Sequence, residues 1–132
     1  MPTKKKKDDL QVTETTEPIA VESAAFESAL RANLEEIRNY DGVVGYILQN
    51  TTSASIDLKD PAKIIDYAIL SSTTFESTEE LLKLFNIEEA KDIIIKGKNL
   101  KMVSLTIEKN RISIFLENGS DIEKVLKKVQ MV

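Results

Sequence analysis

The side chains of this sequence that could do chemistry are carboxylates, hydroxyls and amines, because it contains neither histidine nor cysteine. Disulfides, thiolate or imidazole metal sites and the usual catalytic triads therefore lose members on which they depend. Carboxylates occur as three adjacent pairs, Glu35–Glu36, Glu79–Glu80 and Glu88–Glu89. Neighbours on a helix point about 100° apart, so adjacency is no sign of convergent acid–base groups. The pairs are interpreted as solvated faces, and the chain is predicted to be no enzyme and to hold no metal or cofactor.

Two glycine-containing segments have the small residues that a phosphate-binding loop needs. Gly42–Gly45 lacks the Lys-Ser/Thr pair that such a loop requires, and Gly97 and Lys98 are followed by Asn99. Both segments are therefore predicted to be turns and not nucleotide sites.

Composition limits the class of protein. A chain of 132 residues with 42% hydrophobic and 30% charged residues is expected to form one domain around one core. The net charge of −4 offers no basic face for phosphates, so nucleic acid is not expected as a partner. No apolar run approaches the roughly 20 residues of a membrane span, and the N-terminus lacks the apolar core of a signal peptide. These features predict a soluble, cytoplasmic protein without stable membrane insertion.

The N-terminal segment differs in composition from the rest. Lys4–Lys7 is followed by Asp8 and Asp9 and then by a polar string that ends at Pro18. So few apolar side chains cannot offset the entropy of ordering them, and a short basic cluster without an apolar anchor gives only marginal membrane attachment. Residues 1–21 are predicted to be a disordered polar tail, and residues 22–132 the folded domain.

The first folded elements are predicted to be a helix and a strand hairpin. From Glu22 the apolar residues follow helical spacing, and Asn39–Gly42 ends the helix with residues that favour a turn. Val43–Leu48 is apolar on both alternating faces, as a strand covered on two sides should be, and Gly45 within it suggests close approach by a neighbouring helix. Residues 53–58 alternate as a second strand with one solvated face. The helix stripe consists of Phe26, Leu30, Leu34 and Ile37.

A long second helix is predicted to start at Asp60 and Pro61, because aspartate caps free amides and proline fits the first helical position. Its apolar and small residues form two neighbouring stripes that span about half the circumference or more. One sheet cannot easily cover both, so either another helix of this chain or a partner subunit covers the second. A capping-box pattern at Ser77–Glu80 predicts a break near Ser77. The stripes are Ile64, Tyr67, Ala68, Ser71 and Phe75, and Ile65, Ile69, Ser72 and Glu76.

Three strands and a helix are predicted for the remainder. Ile93–Ile95, Val103–Ile107 and Ile112–Leu116 have strand composition and are separated by short turns, which makes them antiparallel neighbours. A second capping box at Ser120–Glu123 begins the last helix. The predicted order is helix, strand, strand, helix, strand, strand, strand, helix.

This order, together with the segment Leu34–Tyr46, resembles the roadblock family of dynein light-chain and small-GTPase-regulator domains, of the archaeal or bacterial small-GTPase regulator type. In that segment a first helix runs through a glycine turn into the first strand, and the resemblance covers about Glu22 to Val129. It implies a profilin-like α/β (α+β) fold, in which a five-stranded antiparallel sheet carries helices on both faces.

The resemblance also implies partners and an interface. It favours a partner subunit, and not another helix of this chain, as the element that covers the wide second stripe. The two subunits would form a homodimer or paralogous heterodimer that pairs through the second helix and the edge run Asp92–Lys96. It further implies a Ras-like small GTPase as a partner. The interface residues carried over are Ile65, Ile69, Ser72, Thr73, Ile93, Ile94 and Ile95.

The predicted function is a non-enzymatic dimeric interaction module that binds, regulates or scaffolds a Ras-like GTPase. An arginine finger, if there were one, would come from Arg31, Arg38 or Arg111, and each is interpreted as a surface salt-bridge residue. The alternative is a small-molecule-binding sensor domain of related α/β shape. A buried apolar cavity with convergent polar groups would favour the sensor, and a filled core with an apolar outer helix face would favour the module.

Overall fold

The helices and strands follow one another along the chain in the predicted order. The computed structural model describes residues 17–131, with side chains from residue 24 onward. The elements are α1 (Glu17–Arg38), β1 (Val43–Gln49), β2 (Ala54–Leu58), a 3₁₀ turn (Pro61–Lys63), α2 (Ile64–Leu84), β3 (Ile93–Lys96), β4 (Leu100–Ile107), β5 (Asn110–Glu117) and α3 (Ile122–Val129).

The five strands form one antiparallel sheet in the order β2-β1-β5-β4-β3. Because side chains alternate across a strand, the sheet has two apolar faces and two layers of core. Buried residues of α1 and α3 pack on one face, and α2 packs on the other, where its Tyr67 ring stacks on Phe115 at 4.5 Å between ring centroids. This arrangement confirms the predicted five-stranded antiparallel sheet with helices on both faces.

Helix α1 begins at Glu17, five residues before the predicted start at Glu22. Pro18 is compatible with that start, since an amide in the first helical turn has no intrahelical partner. The predicted tail otherwise lies outside the described residues, and its disorder stays a prediction. The helix ends at Arg38, and just after its end the Tyr40 amide donates to the Ile37 carbonyl. Gly42 adopts a φ of +83° at the turn into β1.

Tyr46 ties β1 to α1. The buried Tyr46 hydroxyl donates a 2.7 Å hydrogen bond to Glu35 Oε2. Burial, followed by this hydrogen bond and the charge of Glu35, raises the pKa of Tyr46 far above its usual value of 10.0. The folded protein therefore holds this proton at a pH where the unfolded chain releases it.

Tyr46→Phe is expected to lower the free energy of unfolding by about 1 kcal/mol at pH 7, through loss of the hydrogen bond. Above pH 10 the unfolded wild-type chain binds fewer protons at this position than the folded one, so wild-type stability falls by up to about 1.4 kcal/mol per pH unit. The gap between wild type and variant, measured by urea unfolding, should narrow from pH 9 to pH 11. A constant gap would contradict the assigned shift.

Helix α2 is continuous from Ile64 to Leu84, and the predicted break near Ser77 is wrong. The Asp60 side chain accepts from the Ala62 amide at 3.1 Å, which confirms the predicted start. The capping-box residues lie inside the helix because the strong helix formers that follow Ser77 continue it, with no proline or glycine to stop it. After Leu84 the helix is terminated by Asn86, which has a positive φ of 59°, and the Ile87 amide donates back to the Leu82 carbonyl at 2.8 Å.

Gly45 is approached by a strand and not by a helix, so the predicted reason for this glycine is wrong. It has a φ of +155° and lies at a register shift in the pairing of β1 with β5. A Cβ atom added there would clash with the Asp57 carbonyl oxygen and lie 2.7 Å from Leu58 Cα, both in β2. The absence of a side chain therefore lets the two backbones pair.

Candidate interaction surface

The outer face of α2 carries the exposed apolar residues predicted from its wide stripe. Ile65 is 72% exposed and Ile69 is 60% exposed, and both Ser72 and Thr73 are exposed beside them. The opposite side of the same helix turns Ser71, Thr74 and Phe75 into the protein. Residues three or four positions apart lie on the same side of a helix, which explains both faces. No element of the described chain covers the outer face.

The remaining predicted interface residues lie on β3, an edge strand that, among the strands of residues 17–131, pairs only with β4. Ile93 and Ile95 are opposite Ser104 and Met102, which face α2, whereas Ile94 is opposite Val103, which faces α1 and α3. The structure therefore does not bring Ile94 onto the α2 side of the sheet. A partner strand added to the β3 edge would flank all three isoleucines, but a partner lying on α2 would reach only the α2 side. Their role in an interface stays a prediction.

A chain of three buried hydroxyls joins α2 to the sheet beneath the exposed row. Ser113 Oγ on β5 lies 2.6 Å from Ser71 Oγ on α2 and 2.7 Å from Ser104 Oγ on β4. All three side chains are buried, so each hydroxyl depends on the others for a partner. The sequence reasoning did not find this cluster. Its signal was a serine at matching positions of β4 and β5, which the register pairs directly.

Ser113→Ala is expected to lower the free energy of unfolding by about 2 kcal/mol, because it leaves Ser71 and Ser104 buried without their common partner. A triple variant with alanine at all three positions should lose less than the sum of the single variants, since no hydroxyl is then left unpaired. Urea unfolding at one protein concentration measures both quantities. Strict additivity would show that the three hydroxyls do not act as a unit.

Each arginine of the chain is held in an intramolecular ion pair. Arg31 contacts Glu27 at 3.0 Å and donates to Ser55 Oγ at 2.7 Å. Arg38 contacts Asp57 at 3.0 Å.

Arg111 also has two intramolecular partners. It pairs with Glu79, and its guanidinium lies 5.2 Å from the centre of the Phe75 ring. Geometry therefore agrees with the interpretation of all three arginines as salt-bridge residues and presents none as an outward-directed finger.

Three carboxylates of the adjacent pairs have partners elsewhere in the fold. Glu35 accepts from Tyr46, Glu36 pairs with Lys128 at 2.7 Å, and Glu79 pairs with Arg111. Within residues 17–131, histidine, cysteine, aspartate and glutamate form no group of three or more that could hold a metal ion.

A cleft of about 310 Å³ lies beside the start of α3. Its walls include Tyr40, Asp41 and Ser120, and Lys124 Nζ lies 4.4 Å from the centre of the Tyr40 ring. The exposed Asp41 and Lys124 place this cleft at the surface and not between the sheet and α2. It is therefore different from the buried apolar cavity that a small-molecule sensor would use.

Within residues 17–131, no helix combines the length and the apolar composition that crossing a membrane requires.

No protein-family model matches the chain, and no curated protein matches it. Comparison with solved structures, in contrast, identifies its architecture as the roadblock fold. The roadblock/LC7 domain from Streptomyces avermitilis matches with a TM-score of 0.59 at 8% identity, over 78% of this chain and 87% of that one.

Two further structures have the same fold. The gliding protein MglB from Thermus thermophilus has a TM-score of 0.60 at 16% identity, over 76% of this chain and 80% of that one. MglC from Myxococcus xanthus has a TM-score of 0.54 at 16% identity, over 77% of this chain and 91% of that one. At these identities the likeness is one of fold, and it confirms the roadblock fold that the resemblance implied.

Proposed function

We propose that this chain is a non-enzymatic roadblock module that pairs with a second copy or a paralogue and binds, regulates or scaffolds a Ras-like small GTPase. The observation that carries the proposal is the exposed row of Ile65 and Ile69 on α2. An apolar helix face of this kind marks a protein interaction site.

The second subunit is proposed to cover this row. Ser72 and Thr73 follow Ile69 on the exposed side of α2, and small side chains at this point allow two helices to approach closely. The edge strand β3 offers unpaired backbone groups that a partner's strand can extend. Pairing at both places would bury the apolar row and continue the sheet into the second subunit.

The GTPase is proposed from the roadblock fold and from its solved neighbours, two of which are MglB, a gliding protein, and MglC. The roadblock family includes regulators of small GTPases, and the absence of a free arginine among the described side chains defines how this chain would act. Since Arg31, Arg38 and Arg111 are all engaged, stimulation of hydrolysis would come from holding the GTPase's own catalytic loops in place. Such a module would act in the cytoplasm, where its GTPase binds nucleotide.

Two measurements test the proposal. Light scattering coupled to size-exclusion chromatography should give the mass of a dimer at tens of micromolar, or of a heterodimer when a paralogue is present. Calorimetry should then detect binding of the Ras-like GTPase that copurifies with this chain, loaded in turn with GDP and with a non-hydrolysable GTP analogue. A strict monomer would contradict the pairing, and no binding of either nucleotide form would contradict the GTPase assignment.

A matched set of variants tests the mode of action. Arg31→Ala, Arg38→Ala and Arg111→Ala should leave any stimulated rate of GTP hydrolysis within about twofold of wild type, because an inserted arginine contributes about 10³-fold or more. A fall of that larger size in one variant would identify that residue as a finger and contradict the non-catalytic mechanism.

A further inference from the structure

Helix α2 extends past the end of the sheet on which it packs. It runs antiparallel to β5, since Tyr67 stacks on Phe115, Ser71 meets Ser113, and Glu79 meets Arg111 near the first residue of the strand. The helix continues to Leu84, more than a turn beyond this last contact. Its final turn therefore overhangs the β4–β5 hairpin.

The overhang exposes a set of large apolar side chains, each with more than half of its surface accessible. Leu81 comes seven residues after the buried Thr74, and Phe85 comes 18 residues after Tyr67, so both are on the sheet-facing side of the helix. They are exposed because none of the five described strands lies beneath them. The α2 end patch is defined as Leu81, Leu84, Phe85 and Ile87.

The α2 end patch is distinct from the proposed dimer row on the same helix. Sixteen residues separate Ile65 from Leu81 and also Ile69 from Phe85. At about 100° per residue, each pair lies about 160° apart around the helix axis. A subunit covering the row would therefore leave much of the patch uncovered.

The surroundings of the patch are acidic. Residues 76–92 contain six acidic and two basic side chains, and Glu80, Glu88 and Glu89 are all exposed. The carboxyl end of a helix adds partial negative charge at the same place. The fitting ligand is therefore a segment with several positive charges next to apolar side chains.

Such a segment occurs in this chain before α1. Lys4–Lys7 is followed three residues later by Leu10, and the segment is net positive despite two aspartates. Helix α1 runs antiparallel to β1, and β1 runs antiparallel to β5, so Glu17 starts α1 at the end of the sheet that α2 overhangs. The seven residues from Leu10 to Glu17 span up to about 23 Å when extended, and the ten from Lys7 up to about 33 Å. Both lengths exceed the distance of roughly 20 Å between the two helix layers.

We propose that the segment Lys4–Leu10 binds the α2 end patch of its own chain. Its lysines pair with Glu88 and Glu89, while Leu10 packs against the apolar side chains of the patch. The contact shields an apolar surface that would otherwise be open to other proteins, and its strength depends on ionic strength because the charged groups lie at the surface.

A spin label tests this contact directly, because the chain has no cysteine and Thr3→Cys creates a unique attachment point. In the full-length ¹⁵N-labelled protein, amide signals of residues 80–89 should lose intensity about twofold or more at low salt and recover at about 0.5 M salt. Broadening spread evenly over the surface, or no broadening, would overturn the proposal.

Two controls test whether the broadening depends on the acidic residues of the patch and whether it arises within one chain. Glu88→Lys/Glu89→Lys should abolish the broadening, while the matched reversal Glu117→Lys/Glu123→Lys, at exposed positions elsewhere, should leave it intact. Equal effects of the two variants would overturn the proposal. A mixture of ¹⁵N protein without a spin label and spin-labelled ¹⁴N protein should show no broadening. Broadening of residues 80–89 in this mixture as well would assign the contact to a second copy and overturn the contact within one chain.

Discussion

Ile69→Glu is expected to convert the proposed dimer into folded monomers. In the monomer this position is exposed, so a glutamate there is solvated and leaves the free energy of unfolding close to wild type. In a dimer paired through α2 the same carboxylate is buried against an apolar surface, which costs about 4 kcal/mol and raises the dissociation constant about 1,000-fold. Sedimentation equilibrium measures the constant, and thermal unfolding checks that the monomer is folded.

A matched control separates the position from the charge. Ala32 is exposed on α1, on the other face of the sheet, so Ala32→Glu adds the same charge away from the proposed interface. Its dissociation constant should equal that of wild type. If Ile69→Glu left the dissociation constant unchanged, another surface would form the dimer. If both variants raised the dissociation constant equally, the added net charge and not the position would explain the effect.

Gly45→Ala is expected to have the largest effect on stability within one subunit, about 3 kcal/mol or more. The added methyl group would overlap the Asp57 carbonyl and approach Leu58 Cα, and both are backbone atoms of β2. No side-chain rotation can relieve such a contact, so β1 and β2 must separate or the register shift between Val43 and Gly45 must rearrange. Urea unfolding gives the change, and amide exchange should show lost protection along β2.

Gly119→Ala is the matched control, because Gly119 also has a positive φ, +91°, but a Cβ atom there meets nothing within 4 Å. This variant should lose only the backbone strain term, about 1 kcal/mol. If the two variants were equally destabilised, strain alone would explain Gly45 and the close approach of β2 would be irrelevant.

The order of helices and strands could be predicted from the sequence because it depends on local periodicity. Leu30, Leu34 and Ile37 repeat at helical spacing, and β4 and β5 alternate on either side of a short turn. The break assigned at Ser77 failed because a capping-box pattern also occurs inside helices, where neighbouring propensities decide whether the helix continues.

Contacts between distant residues required the tertiary structure. The partner of Gly45 is a strand and not a helix, and the partner of Ser71 is Ser113, 42 residues away. Periodicity shows which side of an element is apolar but not which element covers it. For the same reason Ile94 could be assigned to the β3 edge from sequence, but its position on the α1 and α3 face follows only from the register with β4.

The sequence by itself determined the helices, the strands, the lack of histidine and cysteine chemistry, and the wide apolar stripe that Ile65 and Ile69 expose on α2. Only the tertiary structure decided where α2 extends beyond β5. For that reason Leu81 and Phe85 are exposed although they continue the buried stripe. The physical reason is that amphipathic spacing is a property of one segment, whereas burial depends on whether another segment lies beneath it.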